Sequence, residues 1–348
     1  MVKIGIIGVN GLVGRAVLES IKILNLFGDN YEYYLYGSVD AISYTGIIEK
    51  FRLDHLEGLD YAILAVDNIV ARAVHAYIFE KNLNITVIDN SSEFRLYQNV
   101  PLCIPEINLH TLANLGSTRF ISNPNCVTTL MCMVLKPLLN LADITRIVAS
   151  TYQAASGAGY RGLEELKLQT KEINDEMLMA AGMTTELTTG MTTGMTTGLT
   201  TTFWKKQYVY NIFSHNSKIT DSLYNEEEMK LINETQKILD IKCKITPTCI
   251  RVPTLRSHCI SLNVEFCKDL KKDDVCEELK KFPGLIILDN ISTNEFPEPI
   301  VTSRKTDVYV GRIRPDIDNN KCWNFFISGD QLLKGAGYNS VQILKALL

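Results

Sequence analysis

VKIGIIGVNGLVGRAVLESIKIL, residues 2–24, is the stretch that decides the fold. It opens with a short apolar run that ends at Gly8 and then changes to the spacing of a helix. In the second half, apolar side chains recur every three or four residues, at Leu12, Val13, Ala16, Val17, Ile21 and Leu24. A strand, a glycine turn and a helix in this order begin a β-α-β unit. The chain is therefore expected to start with a parallel sheet covered by helices.

Segments further along continue this alternation. Runs rich in β-forming residues occur at 31–38, 62–66 and 84–92, and residues 69–82 have helical spacing. Strands that alternate with helices are typical of a parallel sheet wound on both faces. We therefore predict an α/β fold whose first domain is a Rossmann-type doubly wound sheet.

The second half of the chain has a different pattern. An apolar helix is expected after Cys126, ending at Pro137, and ITRIVASTYQ reads as a strand that leads into a glycine-rich turn. Further strands are predicted at 243–250, 258–266, 284–289 and 307–314. Strands in near succession favour antiparallel pairing, so the second domain is predicted to be α+β. The last segment predicts a helix, interrupted at GAG, that docks on the first domain.

Composition excludes several classes of protein. The chain has 348 residues and a net charge of -4, which does not favour a nucleic-acid or anionic-membrane surface. No apolar run reaches the roughly 18 residues that span a bilayer, and the N-terminus lacks the pattern of a signal peptide. The nine cysteines have no CxxC or Cys/His spacing. We therefore expect reduced thiols, a cytoplasmic location and no metal site.

The first turn, GVNGLVG, spaces its glycines as GxxGxxG at Gly8, Gly11 and Gly14. Glycine lets the backbone approach a pyrophosphate, and the N-terminus of the following helix offers free N–H groups and a positive dipole end. The spacing alone is equally compatible with a plain tight turn. Its place at the first strand–helix junction favours a dinucleotide site.

The segment SNPNCVTT, residues 122–129, places Cys126 at or near the start of a helix. The helix dipole there favours thiolate and is expected to lower the thiol pKa from about 8.5. A buried structural cysteine is the competing interpretation.

His258 stands just before an alternating strand, seven residues after Arg251. An arginine and a histidine at one strand start suggest an anionic substrate beside an acid/base group. A strand-end histidine held by backbone and a surface arginine explain the pattern equally well.

Residues 183–202, MTTELTTGMTTGMTTGLTTT, repeat a four-residue unit. Such low-complexity sequence has poor helix propensity and few groups able to pack. We expect a mobile inserted loop without a role in the chemistry.

Nine sequence blocks, in order along nearly the whole chain, resemble aspartate-β-semialdehyde dehydrogenases of the bacterial type. The blocks are GVNGLVG, VIDNSSEFR, VPLCIPEIN, SNPNC, STYQAASGAG, YNEEEMK, RVPTLRSH, VYVGRIRPD and KGAGYNSVQI. The resemblance implies NADPH-dependent reduction of L-aspartyl-4-phosphate to L-aspartate 4-semialdehyde with release of phosphate. That reaction serves lysine, diaminopimelate, threonine and methionine biosynthesis.

The resemblance also implies roles for the catalytic residues. Cys126 would be the nucleophile that forms an acyl thioester, and Gln153 would orient the intermediate. His258 would be the general acid/base.

The same resemblance implies a set of substrate-binding residues. Arg251 would bind the α-carboxylate of the substrate, and Glu227 its α-amino group. Arg95 and Lys230 would hold the phosphate, with Asn125 helping beside the nucleophile.

Cofactor contacts implied by the resemblance are Gly8, Asn10, Gly11, Leu12, Val13, Ser38, Ser156, Gly157 and, where many relatives have asparagine, Gln331. One departure from the family is informative: Asp40 stands where NADP-using members carry an arginine for the 2′-phosphate. A carboxylate repels that phosphate and can accept hydrogen bonds from a free ribose hydroxyl. We expect a weakened preference for NADP and some use of NAD.

The resemblance divides the chain into three parts. Residues 1–127 would bind NAD(P), residues 128–328 would form the catalytic and dimerisation domain, and residues 329–348 would return to the first domain as a helix. The assembly would be a homodimer or a homotetramer, with the substrates and phosphate as partners.

Two alternatives compete with this assignment. N-acetyl-γ-glutamyl-phosphate reductase shares the thioester chemistry, but NPNCVTT and the STYQ block argue against it. A cofactor-binding protein without catalysis is the second alternative. The joint presence of the thiol, glutamine, histidine and both arginines argues against it.

Overall fold

A computed structural model describes residues 1–43, 46–115, 119–180 and 199–348. Its helices are α1 (Leu12–Ile23), α2 (Asn68–Glu80), α3 (Pro105–Asn108), α4 (Cys126–Leu138), α5 (Gly159–Ala180), α6 (Glu226–Leu239), α7 (Lys272–Lys281), α8 (Pro299–Thr302) and α9 (Tyr338–Leu347). Within these described ranges, no helix is long and apolar enough to cross a membrane.

The first sheet consists of β1 (Val2–Ile7), β2 (Tyr31–Gly37), β3 (Ala41–Ser43), β4 (Gly46–Lys50), β5 (Tyr61–Leu64), β6 (Thr86–Asp89) and β7 (Phe120–Ser122). Its strand order is β3-β4-β2-β1-β5-β6-β7, and all neighbours pair in parallel except β3 and β4. One face packs against α1 and α9, and the other face packs against α2. The predicted doubly wound sheet is confirmed.

The second sheet consists of β8 (Ile144–Gln153), β9 (Phe213–Ser214), β10 (Lys244–Arg251), β11 (His258–Phe266), β12 (Leu285–Ile287), β13 (Val308–Pro315) and β14 (Cys322–Gly329). The order is β12-β13-β14-β11-β8-β10-β9. Four of the six pairings are antiparallel and two are parallel. Helices α4, α6 and α7 bury their apolar sides against one face, which confirms the α+β prediction.

The C-terminal segment contains the predicted helix and the predicted interruption. A π-helical turn, Leu333–Gly337, leads directly into α9. A Cβ atom on Gly337 would lie 2.6 Å from the carbonyl carbon of Ala16 in α1. Glycine at this position therefore lets the turn pack tightly on the first domain, where α9 was expected to dock.

Most of the threonine-rich repeat, residues 183–198, lies outside the described residues. The described end of the repeat is bound to α5: the backbone N–H of Thr200 donates to Oε2 of Glu172 at 2.9 Å, and its hydroxyl donates to Oε1 at 2.6 Å.

Candidate active site

A cavity lies where the carboxyl ends of the parallel strands face the second sheet. Residues that follow β1, β5, β6 and β7 line one side of it, and the last residues of β8 and β10, Gln153 and Arg251, line the other. In open α/β sheets, ligands bind at this edge of the sheet. Residues at the strand ends of both sheets therefore meet at one site.

Cys126 is the first residue of α4 and lines this cavity. The side chain of Asn125 caps the helix, because its Oδ1 accepts from the backbone N–H groups of Val127 at 3.0 Å and Thr128 at 3.2 Å. On the opposite side, a Cβ atom at Gly335 would lie 2.7 Å from the Cβ of Cys126. The thiol is therefore fixed between a helix N-terminus and the π-helical turn.

The thiol pKa differs from the value expected at a helix N-terminus. Burial, and next the carboxylate of Glu227, raise the pKa of Cys126 to about 12, against the lowering influence of Arg251 and Arg95. The expectation of a lowered pKa is wrong here, because desolvation and a neighbouring anion outweigh the cations.

Glu227 lies at the centre of a hydrogen-bond network. Its Oε1 accepts from Nδ2 of Asn125 at 2.8 Å and from Nε2 of Gln153 at 3.4 Å. Its Oε2 lies 3.3 Å from Nζ of Lys230. Burial favours the neutral acid, but neighbouring cations, foremost Lys230, outweigh it and lower the pKa of Glu227 to about 2. The group is an anion that contacts both Asn125, next to Cys126, and Gln153.

Arg95 lines the cavity but is already paired. Its Nη1 lies 3.0 Å from Oε1 of Glu234, and its Nη2 donates to the backbone carbonyl of Asn90 at 2.9 Å. Its Nε is buried and has no hydrogen-bond partner among the described residues. The guanidinium therefore keeps donors for an anion while two contacts hold its orientation.

Glu234 was not foreseen in the sequence. Its Oε2 accepts from the backbone N–H of Asn125 at 2.6 Å, so one buried carboxylate binds both the turn before Cys126 and Arg95. It follows Glu227 by seven residues on α6, which places both on one face of the helix. The seven-residue spacing of these two glutamates in YNEEEMKLINETQ could have indicated that Glu234 faces the site.

Arg251 is buried at the end of β10. Its Nε donates to Oδ1 of Asn216 at 3.2 Å, and its Nη1 donates to the backbone carbonyl of Ala154, also at 3.2 Å. The guanidinium lies over the ring of Trp204 at 5.6 Å from the centroid. A buried, oriented arginine at the cavity wall is suited to a carboxylate.

His258 is fully buried and does not itself line the cavity. Its Nδ1 accepts from the backbone N–H of Ala154 at 3.0 Å. Gly157 does line the cavity, and a Cβ atom there would come within 2.9 Å of the His258 ring and 3.0 Å of Nη1 of Arg251. Burial and the nearby Arg251 lower the pKa of His258 to about 3.

Ser156 and Gln331, two expected cofactor contacts, bond to each other. Nε2 of Gln331 donates to Oγ of Ser156 at 2.5 Å, and Oε1 of Gln331 accepts from the backbone N–H of Ser257 at 2.8 Å. Ser257 has a φ of 68°, in the left-handed region that a serine rarely adopts. Gln331 therefore holds the backbone immediately before His258, a contact that sequence reasoning did not predict.

The first glycine turn fits a dinucleotide phosphate. Gly8 has a φ of 90°, and a Cβ there would collide with the backbone carbonyl of Ala65. Gly11 precedes α1 without a side-chain cap, so N–H groups at the start of α1 remain available for an anion. Leu12 and Val13, in the first turn of this helix, line the cavity.

Four expected cofactor residues lie outside the cavity lining: Gly8, Asn10, Ser38 and Asp40. A Cβ at Gly37, the last residue of β2, would lie 2.6 Å from Nδ2 of Asn10. Ser38 and Asp40 follow and are exposed, and Oδ1 of Asp40 accepts from the backbone N–H of Lys50 at 2.6 Å. The structure thus places these residues beside the glycine turn, at the neighbouring strand end.

His215 also lines the cavity, although it was not among the residues expected at the site. The short strand β9 pairs with the end of β10, where Arg251 faces Phe213. That pairing carries His215 to the site. No signal in the local sequence predicts it.

Comparisons with known proteins agree with this architecture. Residues 3–115 match the family described as "Semialdehyde dehydrogenase, NAD binding domain". Residues 135–334 match "Semialdehyde dehydrogenase, dimerisation domain". The fold and the site therefore define a two-domain semialdehyde dehydrogenase with a nicotinamide-dinucleotide domain.

Comparison with individual relatives shows which semialdehyde dehydrogenases this chain resembles in sequence and structure. The chain is 35% identical over 303 residues to an aspartate-semialdehyde dehydrogenase of Prochlorococcus marinus, covering 87% of this chain and 81% of the relative. It is 34% identical over 357 residues to that of a Synechocystis species, covering 100% and 97%. The crystal structure of aspartate semialdehyde dehydrogenase II from Vibrio cholerae has a TM-score of 0.84 at 28% identity, covering 99% and 98%. The chain belongs to the aspartate-semialdehyde dehydrogenase family.

Proposed function

We propose that this protein reduces L-aspartyl-4-phosphate to L-aspartate 4-semialdehyde through an acyl thioester on Cys126, with NADPH or NADH. One observation carries the proposal: the cavity that contains Cys126 is also lined by two sets of charged side chains. Arg95 and Lys230 offer positive charge to a phosphate. Arg251 and Glu227 offer a cation and an anion to the two ends of an amino acid.

The proposed chemistry divides a difficult reduction into two steps. In the direction of semialdehyde oxidation, the thiolate attacks the aldehyde carbon, and a hydride then leaves the same carbon. Phosphate next attacks the thioester, so the C–S bond breaks and the acyl phosphate leaves. Bound nicotinamide supplies or accepts the hydride. Gln153, hydrogen-bonded to Glu227, would orient the intermediate, and Asn125 would hold the nucleophile's turn.

The cofactor would enter along the glycine turn of β1 and α1. Gly8, Gly11, Leu12 and Val13 are suited to the pyrophosphate, for the reasons of backbone space and free N–H groups given above. At the end of β2, the exposed carboxylate of Asp40 favours a free ribose hydroxyl over a 2′-phosphate. We infer that the preference for NADP is weakened.

We infer the substrate class and the oligomeric assembly from the relatives. A solved aspartate semialdehyde dehydrogenase II from Vibrio cholerae, 27% identical to this chain, is described as complexed with ASA. The match to a dimerisation domain supports a homodimer or a homotetramer. Nine free cysteines are compatible with a reducing, cytoplasmic location. The division at residues 127 and 328 stays a prediction.

Steady-state turnover tests the proposal. Purified protein should reduce NADP and NAD in the presence of aspartate semialdehyde, at a rate that depends on phosphate. Cys126→Ser should abolish turnover while keeping the fold, measured by circular dichroism. Absence of turnover from folded, reduced wild-type protein with either cofactor would refute the proposed function.

A further inference from the structure

The indole ring of Trp204 lies against the guanidinium of Arg251, outside the cavity that the arginine lines. The guanidinium carbon is 5.6 Å from the ring centroid, within the distance of about 6 Å at which an aromatic face attracts a cation. Trp204 and Arg251 are only 4% and 3% exposed, so water weakens this attraction little. Trp204 does not line the cavity, so a substrate there would contact the arginine and not the indole.

Two hydrogen bonds hold the same guanidinium. Nε of Arg251 donates to Oδ1 of Asn216, and Nη1 donates to the backbone carbonyl of Ala154, each at 3.2 Å. Both bonds are longer than the usual N–H···O distance of about 2.9–3.0 Å. A guanidinium has five N–H donors, so these two bonds leave donors for a carboxylate. The ring contact with Trp204 is therefore a substantial part of what keeps those donors in place.

Trp204 is itself fixed on helix α5. Its backbone N–H donates to Oε1 of Glu165 at 2.9 Å, and its Nε1 donates to the backbone carbonyl of Gly162 at 3.0 Å. A Cβ atom at Gly162 would come within 2.7 Å of the indole ring, so the helix approaches the ring closely because this residue is glycine. Oε2 of the buried Glu165 also accepts from the hydroxyl of Thr202 at 2.9 Å and from the backbone N–H of Phe203. One carboxylate thus holds the segment that carries the indole.

Tyr208 connects the indole to the strand that carries Arg251. The rings of Trp204 and Tyr208 are 4.6 Å apart, centroid to centroid, in a T-shaped arrangement. The hydroxyl of Tyr208 donates to the backbone carbonyl of Val252, the residue after Arg251, at 2.6 Å. Phe213, which faces Arg251 in the pairing of β9 with β10, packs edge-on against both rings. The aromatic cluster therefore contacts the arginine side chain and the backbone next to it.

We propose that Trp204 is a positioning residue that holds the guanidinium of Arg251 in the orientation that binds the α-carboxylate of the substrate. This rests on the proposed function, in which Arg251 binds that carboxylate and a different pair, Arg95 and Lys230, binds phosphate. Trp204 contacts neither substrate and takes part in no bond that forms or breaks. Its loss should therefore weaken binding of the semialdehyde and leave binding of phosphate unchanged.

Separate KM values for the two substrates test this role. In Trp204→Leu the site stays apolar but loses the aromatic face, so KM for aspartate semialdehyde should rise about tenfold. KM for phosphate should stay within about twofold of wild type, and kcat within about threefold, because the chemical step keeps its groups. Trp204→Phe keeps an aromatic face that attracts a cation less strongly than indole, so KM for the semialdehyde should rise only about threefold.

Trp323→Phe is the matched control. This second indole is buried in the core of the second sheet, does not line the cavity, and also donates Nε1 to a backbone carbonyl, that of Asn320 at 3.1 Å. Both KM values should be unchanged in this variant. A rise in the semialdehyde KM as large as that of Trp204→Phe would overturn the proposal.

Two results from the Trp204 variants would also overturn the proposal. One is an unchanged KM for the semialdehyde in folded Trp204→Leu, and the other is an equal rise in both KM values. If Trp204→Leu does not fold, Trp204→Phe decides, and a semialdehyde KM equal to that of wild type would overturn the proposal. In each of these cases wild-type protein still turns over. Wild-type protein without phosphate-dependent turnover would instead refute the proposed function and this proposal with it.

Discussion

At the scale of single residues, we propose that Glu227 couples substrate binding to the ionisation of the Cys126 thiol. Its carboxylate raises the pKa of the Cys126 thiol, second only to burial. In the proposed complex, the α-amino group of the substrate pairs with this carboxylate. That pairing would remove one cause of the raised pKa, so substrate binding itself would promote the thiolate.

Glu227→Gln should therefore make the thiol more reactive and the enzyme less active. Loss of the negative charge lowers the thiol pKa, so alkylation of Cys126 by iodoacetamide at pH 8 should be about threefold to tenfold faster. Turnover should fall because the α-amino contact is lost. The control is Glu226→Gln, the same change at the exposed neighbouring position of α6. Slower alkylation in Glu227→Gln than in this control would contradict the account.

Glu234→Gln should weaken the use of phosphate. The carboxylate holds Nη1 of Arg95 at 3.0 Å and the backbone N–H of Asn125 at 2.6 Å. A glutamine that keeps the bond to Asn125 turns its NH2 group towards the guanidinium, donor against donor. We expect KM for phosphate to rise about tenfold, with a smaller change in KM for the semialdehyde. An unchanged KM for phosphate would show that Arg95 does not depend on Glu234.

The residues that sequence alone could identify are those inside distinctive motifs. Cys126 stands in a turn at a helix start, as predicted from its motif. Arg251 was expected with His258 at one strand start, but the structure places it at the end of β10 and His258 at the start of β11. His215 and Glu234 reach the site only through the pairing of β9 with β10 and the packing of α6 on the nucleophile's turn. The thiol pKa was mispredicted because a local argument from the helix dipole omits burial and a charge from another element.

At the scale of elements, strand ends supply the site. The strand β14 was not predicted, although Trp323, Phe325 and Ile327 alternate as buried residues. Its sequence, CWNFFISG, is too uniformly apolar for the alternation to be evident before burial is known. The Rossmann-type half was more predictable, because its glycine turn and helical spacing are local properties.

The end of β2 is expected to set cofactor choice. Asp40→Arg should raise the ratio of kcat/KM for NADP to that for NAD by about tenfold or more, since a cation would meet the 2′-phosphate. Asp40→Asn, which removes the charge without adding a cation, is the control and should shift the ratio less. If neither substitution changes the ratio of the two kcat/KM values, the ribose that carries the 2′-phosphate does not bind at the end of β2.

The threonine-rich segment is expected to be dispensable for the chemistry. Deletion of residues 184–198 spares Thr200, whose N–H and hydroxyl bind Glu172. The deletion variant should keep kcat within about threefold of wild type, because no residue of the proposed site lies in the deleted range. A variant that folds, as judged by circular dichroism, but has lost turnover would contradict this expectation.

At the scale of the whole molecule, residues from both halves of the chain line one cavity. The first contributes the glycine turn and the residues after β5 to β7, and the second contributes Gln153 and Arg251. The C-terminal π-helical turn closes one side: Gly335 packs against Cys126, and Gly337 packs against α1. Long-range arrangements of this kind cannot be read from periodicity, whereas the ordered sequence blocks of the family implied them.

The acyl thioester on Cys126 is the central claim, and intact-protein mass spectrometry tests it most directly. Wild-type protein mixed with aspartate semialdehyde and oxidised cofactor, without phosphate, should gain one aspartyl adduct, mapped to Cys126 by peptide analysis. Addition of phosphate should discharge the adduct, and Cys126→Ser should form none. An adduct on another residue, an adduct that phosphate leaves in place, or turnover by Cys126→Ser would contradict the account.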